Sequence, residues 1–518
     1  MLFGLVNACL YSALLPLWEG FDEAFHYGYV ETLWQTHRLP ALGRTLLPAD
    51  VWRSFVLAPV SPVVHRWYPQ TITFDTWFSL PEPDKAQRRH ELDRLRPQAA
   101  PSSVPDYEAH HAPLAYFVLA PVDWSISGAP IRVRVLVLRL VGSLLSVILL
   151  FLGASALGRS LELPEPFLHA ALFTIFCSQM LYATIAHVAN DWLAVGIAAL
   201  YVASLVRLVR EPDRKSVFSA ALLLSIGLLT KAYFLAFVPP AAIAVAFVWR
   251  HIRWRTVVVG AVFVVAIAGP WYLRNVALYG NIGGTHEEFD GIGFRQALAA
   301  APRINWASTT AFLARGSLWT GNASFTSFSQ LTLDIVLALL FLAIIFWMLE
   351  RRAIRPAERI VFITIVFFCV AVAYASCATF AHNKGDSAGA GPWYTQVLLA
   401  PVVMLAYLGM SRWKRFGIAV AATTTIVWGW VLIASWAVKL FPMYAAGGTA
   451  PMRFHEVWSW YMHAAGAHIK DLSLVALAPA PLLYAGLVLS IVLTIVLAAA
   501  IIRGLDRKAL QVPKVSGA

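Results

Sequence analysis

The chain has 518 residues, of which 59% are hydrophobic and 13% are charged, with 40 Lys and Arg against 28 Asp and Glu. Soluble proteins are about 45–50% apolar and about 25% charged, so the composition excludes an ordinary soluble protein. The net charge of +12 does not indicate a nucleic-acid partner, because no soluble domain offers a basic face. The composition predicts an all-α polytopic membrane protein.

About twelve stretches are long and apolar enough to cross a bilayer, which takes about 20 largely apolar residues. The first, 1–18, lacks a basic start and a small-residue cleavage site, so we expect a retained anchor and not a signal peptide. Six more lie within 132–273, four within 331–439 and the last within 475–502. These spans are predicted at 133–157, 166–187, 191–209, 216–230, 233–249, 256–273, 331–349, 360–380, 394–410, 416–438 and 475–502.

Lys and Arg concentrate in every second short connection between the spans, beginning with Arg159 and Arg207. Positive charge marks the cytoplasmic side of a membrane protein, so both termini are predicted to be cytoplasmic, with 503–518 as a tail. Polar residues on the opposite side, close to the bilayer, are the expected site of function. The long external loops are 19–131, 274–330 and 440–474.

An acidic pair follows the first span. Asp22 and Glu23 open the stretch 23–38, whose pattern predicts an amphipathic helix on the membrane surface. On such a helix the two carboxylates and the imidazole of His26 share one face, and Tyr27 follows directly. Helix capping and the helix dipole explain two acids at a helix start, whereas carboxylates beside a membrane span favour a chemical role. Both explanations stay open at this point.

A second polar group in the same loop contains Glu108, His110 and His111. Adjacent histidines point to different faces and the spacing matches no known ligand pattern, which disfavours a structural metal. The carboxylates of Asp22 and Glu23 are too few ligands to show whether Mg²⁺ or Mn²⁺ binds at this acidic pair. The expectation is that no cofactor is required, with a divalent cation at this acidic pair left open.

Short motifs in a fixed order resemble the membrane glycosyltransferases of the GT-C superfamily. Nearest in pattern are bacterial lipid A aminoarabinose transferases and protein O-mannosyltransferases. The motifs are Asp22-Glu23 with His26-Tyr27, Arg38-Leu39-Pro40, His111-Ala112-Pro113-Leu114-Ala115-Tyr116, Ala189-Asn190-Asp191, Leu229-Thr230-Lys231, Pro270-Trp271-Tyr272-Leu273-Arg274-Asn275, Tyr279-Gly280-Asn281 and Trp393-Tyr394. Many relatives carry Arg where this chain has Trp393, so no phosphate contact is carried over to that position.

The resemblance implies a GT-C-like bundle in the bacterial cytoplasmic (inner) membrane, with its active site on the external, periplasmic face. It also implies transfer of a sugar from a polyprenyl-phosphate donor to an acceptor glycan, lipid or protein. A phosphate leaving group calls for cations, and Lys231, Arg274 and His187 lie near the external ends of spans. An acceptor hydroxyl calls for one base and an inverting displacement. Asp22 is the candidate base, with Glu23 as a second acceptor-binding carboxylate.

Further polar residues on the external side are predicted to bind substrate. Structural roles stay open for several of the candidates: interface anchoring for Lys231 and Arg274, and helix capping for Asn190 and Asp191. The predicted substrate-binding residues are His26, Tyr27, His110, His111, Asn190, Asp191 and Tyr279.

Two other functions remain as alternatives. A transporter or lipid flippase would show repeats and ionisable residues near the bilayer midplane, whereas the ionisable residues of this chain gather at the external ends of the spans. A ligase or acyltransferase acting on an envelope lipid would share the external site. The chemical identity of the transferred group separates that function from sugar transfer.

Overall fold

The structure is a computed structural model that describes residues 1–98, 100–318, 324, 326–349, 354–386, 390–445, 454–463 and 465–511. In these residues the regular structure is almost entirely helical, which confirms the prediction of an all-α polytopic membrane protein. Nine helical segments of the described chain are long and apolar enough to cross a membrane. They are Ile131–Ser160, Asp191–Arg210, Ala232–His251, Trp254–Tyr279, Gln330–Leu349, Pro356–His382, Pro392–Arg412, Lys414–Ala445 and Ala480–Arg507.

The α-helices of the described residues range from 4 to 32 residues in length. They are α1 (Leu2–Leu14), α2 (Glu23–Thr36), α3 (Ala49–Leu57), α4 (Pro62–Trp67), α5 (Phe74–Ser79), α6 (Glu82–Arg94), α7 (Leu114–Ser125), α8 (Ile131–Ser160), α9 (Glu165–Cys177), α10 (Gln179–Ile185), α11 (Asp191–Arg210), α12 (Arg214–Leu228), α13 (Val238–Val248), α14 (Trp254–Tyr279), α15 (His286–Phe289), α16 (Phe294–Ala300), α17 (Trp306–Gly316), α18 (Gln330–Leu349), α19 (Pro356–His382), α20 (Leu399–Arg412), α21 (Lys414–Ala434), α22 (Phe441–Ala445), α23 (Phe454–His463), α24 (Ala465–Val475) and α25 (Ala480–Gln511). Tighter 3₁₀ turns occupy Tyr107–His110, Ala232–Phe237, Trp249–His251, Ala301–Arg303 and Pro392–Leu398, and Ser435–Leu440 is π-helical.

Nine of the twelve predicted spans coincide with these long helical segments in the described part of the chain. A tenth, 166–187, is the pair α9 and α10, which meet at an angle of 59° where Ser178 has an extended backbone. The other two are shorter, since α1 has 13 residues and α12 has 15, against about 20 for a full crossing. A count of twelve spans therefore stays a prediction.

Parts of the predicted loops and tail lie outside the described residues. The loop 274–330 contains two such pieces, 319–323 and 325. The loop 440–474 contains 446–453 and 464, and the predicted tail 503–518 is described only as far as Gln511. The remaining pieces outside the description are 99, 350–353 and 387–389.

The central pair of helices, α8 and α11, packs with little space between the backbones. A Cβ atom at Gly153 of α8 would lie 2.5 Å from the backbone nitrogen of Leu200, and one at Gly196 of α11 would lie 2.6 Å from the Cβ of Leu149. In a membrane, such close approach gives the van der Waals contact that joins helices. The helix α11 is buried along nearly its whole length, so it forms the middle of the bundle.

Helix α1 is held to later helices by a buried amide. The side-chain oxygen of Asn7 accepts hydrogen bonds from Nε1 of Trp436 at 2.9 Å and from the hydroxyl of Ser490 at 2.7 Å. These partners lie in the π-helical segment and in α25. Hydrogen bonds of this kind link helices where water is absent, so the chain that leads to Asp22 starts from a fixed helix.

The first loop folds into helices α2 to α7 and two small sheets. Strand β1 (Leu46–Pro48) pairs antiparallel with β4 (Pro101–Pro105), and β2 (Pro59–Val60) pairs parallel with β3 (Ile72–Thr73). All residues of α2 from Glu23 to Glu31 are buried, so other segments cover the helix predicted over 23–38. Helix α7 and the turn Tyr107–His110 lie against α2, which brings the second polar group of the loop next to the first.

Candidate active site

Asp22 precedes α2 in a left-handed backbone conformation, with φ of 55°. Such φ values are uncommon outside glycine and are found at strained functional positions. The side chain makes no capping hydrogen bond to α2. Instead, its Oδ1 accepts a hydrogen bond from the hydroxyl of Tyr107 at 2.5 Å. Helix capping therefore does not explain this carboxylate.

Asp22 faces a cavity of about 430 Å³, a volume in the range of small-molecule sites. Most of the lining side chains are aromatic, which suits the apolar face of a sugar ring or lipid. Two of them, Phe21 and Trp393, stack on each other with ring centres 4.2 Å apart. The lining residues are Trp18, Gly20, Phe21, Asp22, Glu23, Ala24, Phe25, Phe55, Val63, Val64, Trp67, Tyr68, Tyr107 and Trp393.

The surroundings of Asp22 raise the pKa of its carboxyl to about 7. The side chain is accessible from the cavity, but the surrounding protein replaces much of the bulk solvent around it, and this desolvation is the largest cause of the raised pKa. The negative charge of Glu108 raises the pKa further, whereas the Tyr107 hydroxyl and the positive charge of Lys231 lower it. A carboxylate with a pKa close to the working pH is suited to act as a general base.

Glu23 lies beside Asp22 but forms a buried ion pair. Arg139 of α8 donates from Nε to Oε1 at 2.7 Å and from Nη2 to Oε2 at 2.5 Å, and the backbone N–H of Val188 donates to Oε1 at 2.9 Å. The Glu23 and Arg139 side chains are both fully buried. Because Arg139 holds both oxygens, the acidic pair does not offer two free carboxylates to Mg²⁺ or Mn²⁺, and the residues do not fit that site.

Lys231 lies at the junction between α12 and the turn Ala232–Phe237. Its ammonium is 2.6 Å from Oδ2 of Asp191 and 4.9 Å from the ring centre of Tyr394, and it is buried. Its charge lowers the pKa values of Asp22 and Glu108, so Lys231 is within electrostatic reach of both acids. The charge of Lys231 therefore acts on the candidate base, although its ion-pair partner is Asp191.

Asn190 and Asp191, at the start of α11, have different partners. The Asn190 side chain makes no capping hydrogen bond, and its Nδ2 donates to the backbone oxygen of Thr230 at 3.3 Å. Asp191 pairs with Lys231. These two contacts join the start of α11 to the segment that carries the lysine, so both residues lie at the site.

Two histidines of the first loop meet at Glu108. Nε2 of His111 lies 2.5 Å from Oε2 of Glu108, and Nε2 of His26 lies 3.8 Å from the same oxygen. Burial lowers the pKa of His111 to about 3 and that of His26 well below its ordinary value, so both imidazoles are neutral near pH 7. His110 turns away, and its Nδ1 contacts the backbone oxygen of Tyr107 at 2.8 Å.

His187 also lies beside the cavity. Its Nδ1 contacts the backbone oxygen of Ala183 at 2.9 Å, and its ring stands perpendicular to that of Phe21 at 6.0 Å. A Cβ atom on Gly20 would lie 2.5 Å from the Cβ of His187. A glycine at position 20 therefore allows the histidine to pack against the chain leading to Asp22.

Three predicted site residues have described contacts outside the group around Asp22. The Tyr27 hydroxyl donates to Asp123 at 3.2 Å. Nη2 of Arg274 donates to the backbone oxygen of Pro40 at 2.6 Å, and the hydroxyl of Tyr279 accepts from a backbone N–H of the first loop at 3.0 Å. These contacts hold the first loop in place.

Three residues of the site, Tyr107, Arg139 and Glu108, were not among the predicted site residues. Arg139 had a signal, because a cation inside the apolar stretch of α8 needs a buried partner. For Glu108, the signal in the sequence was its position close to two histidines. Tyr107 had no signal, because a tyrosine before an acid is common in many contexts.

A larger cavity of about 870 Å³ opens at the other end of α2. Its lining has no carboxylate and no residue of the group around Asp22, so we place the chemistry in the smaller cavity. The larger one is lined by Leu33, Trp34, Gln35, His37, Arg38, Leu39, Pro97, Phe117, Ala120, Pro121 and Trp124.

Comparisons with known proteins found similarity among solved structures only: no protein-family model matches the chain, and no curated protein matches it. The chain is similar to ArnT from Cupriavidus metallidurans bound to undecaprenyl phosphate, with 14% identity, a TM-score of 0.46, and coverage of 97% of this chain and 77% of that one. For ArnT of the same organism in the apo state, the identity is 16%, the TM-score 0.42, and the coverage 94% and 75%. Both TM-scores are below 0.5, and the chemistry of the site rests on its own residues. The solved structures to which the chain is similar are thus two structures of ArnT, one of them bound to undecaprenyl phosphate.

Proposed function

We propose that the chain is a membrane glycosyltransferase that moves a sugar from a polyprenyl-phosphate donor to an acceptor hydroxyl on the external face of the cytoplasmic membrane. The observation that carries the proposal is the carboxylate of Asp22 at an aromatic cavity, within electrostatic reach of the buried ammonium of Lys231. One supplies a base for the acceptor and the other a cation for the leaving phosphate. The ArnT complex contains undecaprenyl phosphate, which is the kind of lipid phosphate that the proposed donor would release.

The proposed reaction is a single inverting displacement. The acceptor hydroxyl gives its proton to Asp22 while its oxygen bonds to the anomeric carbon. The bond between that carbon and the phosphate oxygen breaks, and its electron pair stays on the polyprenyl phosphate. Lys231 stabilises the negative charge that remains there. One base opposite the leaving group gives inversion at the anomeric carbon.

The product decides between this function and the alternatives. The purified protein is incubated with polyprenyl-phosphate sugars and an envelope extract, and the product is analysed by mass spectrometry. A glycosidic product supports the proposal. Transfer of an acyl group or a whole oligosaccharide lipid would identify a ligase or acyltransferase, and movement of the intact lipid across proteoliposomes would identify a flippase.

The pH dependence of transfer should follow Asp22. Because its pKa is raised to about 7 and the base acts when deprotonated, we expect the rate to fall about tenfold per pH unit below that value and to level off above it. Tyr107→Phe removes a hydrogen bond that lowers this pKa, so its midpoint should move to higher pH.

The measurement is the initial transfer rate between pH 5.5 and 9 for both proteins. Tyr68→Phe is the matched control, because Tyr68 lines the same cavity but is not described as a hydrogen-bond donor to Asp22. A flat profile below pH 7, or the same midpoint in Tyr107→Phe and wild type, would contradict the assignment of the base.

Donor binding should depend on Lys231. Lys231→Met is expected to weaken binding of undecaprenyl phosphate at least tenfold, because the phosphate loses its nearby cation. Asp191→Asn is the matched variant: it removes the partner of the ion pair but keeps the ammonium, so binding should be retained or strengthened. Native mass spectrometry of the detergent-solubilised protein measures the binding of undecaprenyl phosphate to each variant. Equal weakening in the two variants would show that Lys231 serves only the ion pair.

A further inference from the structure

Three metal-ligand side chains meet at one point next to Asp22. They are His26 of α2, Glu108 of the turn Tyr107–His110, and His111 directly after that turn. One ring nitrogen of each histidine and a carboxylate oxygen of Glu108 all lie within 4.8 Å of one another. His26 and Glu108 are buried, and the His111 side chain is only 14% exposed. The three come from two segments separated by about 80 residues, so only the folded chain brings them together.

The buried carboxylate of Glu108 indicates that a positively charged partner is missing at this point. Its Oε2 atom is buried and has no hydrogen-bond partner, although the imidazole nitrogens of His111 and His26 are 2.5 and 3.8 Å away. A buried polar oxygen without a partner is costly. Three ligand atoms that converge without hydrogen-bonding to one another can all be satisfied by one cation between them.

We propose that His26, Glu108 and His111 bind a zinc-class divalent cation. Two imidazole nitrogens and one carboxylate oxygen form a donor set that suits Zn²⁺, with a fourth position open, whereas Mg²⁺ and Ca²⁺ prefer oxygen ligands. In a tetrahedral site with bonds of about 2.1 Å, ligand atoms lie about 3.3 Å apart. The measured separations of 2.5 and 3.8 Å lie on either side of that value.

The surroundings of His26 fit a metal ligand. Its other ring nitrogen, Nδ1, lies 2.8 Å from the hydroxyl of Tyr116. When Nε2 binds a metal, Nδ1 carries the proton and donates to that hydroxyl oxygen, an arrangement that orients ligating histidines. Tyr116 is fully buried and stacks on Tyr29 at 4.0 Å, so the hydroxyl is held in position.

The site would join the two segments that define the position of Asp22. Asp22 directly precedes the helix that carries His26, and its hydrogen-bond donor Tyr107 directly precedes Glu108. A cation between the segments would fix the distance between Asp22 and Tyr107 and add positive charge near the cavity. Metal binding itself does not depend on the proposed function and can be tested without transfer activity.

A second group of possible ligands serves as the internal control. His286, Asp290 and His382 also lie close together. There, however, Nε2 of His382 contacts Oδ2 of Asp290 at 2.8 Å in hydrogen-bond geometry, and the side chains are 31–41% exposed. His382→Gln disrupts this group and leaves the proposed site intact.

The test measures metal binding to the full chain in detergent. After removal of metal with a chelator, Zn²⁺ is titrated against a competing fluorescent indicator, and Co²⁺ is added separately to follow its visible absorption. We expect one tight equivalent of Zn²⁺ and an intense four-coordinate Co²⁺ spectrum, neither displaced by excess Mg²⁺. His26→Gln and His111→Gln should each weaken Zn²⁺ binding at least a hundredfold, and His382→Gln should leave it unchanged.

Tyr116→Phe keeps all three ligands and changes only the partner of His26. We expect a loss of Zn²⁺ affinity of about tenfold, which tests the site even where a ligand variant fails to fold. The proposal is overturned by a wild-type chain that binds no Zn²⁺. It is also overturned by binding that survives both histidine substitutions and Tyr116→Phe, or by binding that disappears in His382→Gln.

Discussion

Replacing Asp22 by Asn is expected to lower the rate of sugar transfer by about 10²–10⁴-fold, the usual contribution of a general base. The protein should otherwise fold normally. Asn has the same shape, tolerates the left-handed backbone at this position, and can still accept the hydrogen bond from Tyr107. The Asp22 side chain makes no capping hydrogen bond to α2, so none is lost.

The measurement compares initial transfer rates at pH 8 with saturating donor, together with the melting temperature in detergent. Asp84→Asn is the matched control, because Asp84 is an exposed acid in the first turn of α6 in the same loop. It should retain the wild-type rate. A rate for Asp22→Asn within threefold of wild type would rule out Asp22 as the base.

Replacing Glu23 by Gln, one position further along, is expected to lower the free energy of unfolding by about 3–5 kcal/mol. The reason is that Arg139 would remain as a buried charge without its partner. Its guanidinium also donates to the backbone oxygens of Leu15 and Pro16 at 2.7 and 2.8 Å, so the loss reaches the chain that leads out of α1. We therefore expect a defect in stability larger than any direct effect on chemistry.

The stability change can be measured by unfolding the detergent-solubilised protein and following tryptophan fluorescence. Glu91→Gln is the control, since Glu91 pairs with Arg53 on the surface, where the two side chains are 34% and 60% exposed. Such a pair contributes about 0–1 kcal/mol. If Glu23→Gln lowers the free energy of unfolding no more than Glu91→Gln does, the buried ion pair does not stabilise the attachment of the first loop to α8.

The spans were predictable because apolar content and length alone identify a membrane helix. The predicted segment 216–230 shows the limit of this rule. Composition gives a span there, but the helix α12 (Arg214–Leu228) ends where Lys231 turns towards Asp191. Similarly, 166–187 reads as one apolar stretch, and the bend at Ser178 depends on packing that hydropathy does not report.

Within the site, the sequence identified Asp22, Lys231 and the histidines from their position beside predicted spans. The sequence could not show which side chains contact one another in the folded chain. Glu23 and Arg139 are 116 positions apart, and the spacing of His26 from His111 matches no metal motif, because the fold supplies the proximity. The sequence also did not show that the two adjacent acids have different surroundings. The Asp22 side chain faces the cavity, whereas the Glu23 side chain is buried against Arg139.

The ion pair between Glu23 and Arg139 limits how far the start of the first loop can move. It fastens the start of the first loop to α8, and the amide of Asn7 fastens α1 to α25. Asp22 lies between these two attachments, so we expect its backbone not to move as part of a lid. The proposed base would then already be positioned before the substrates bind. Substrate entry must then rely on motion of other segments, and the slow step of the cycle would be sought there.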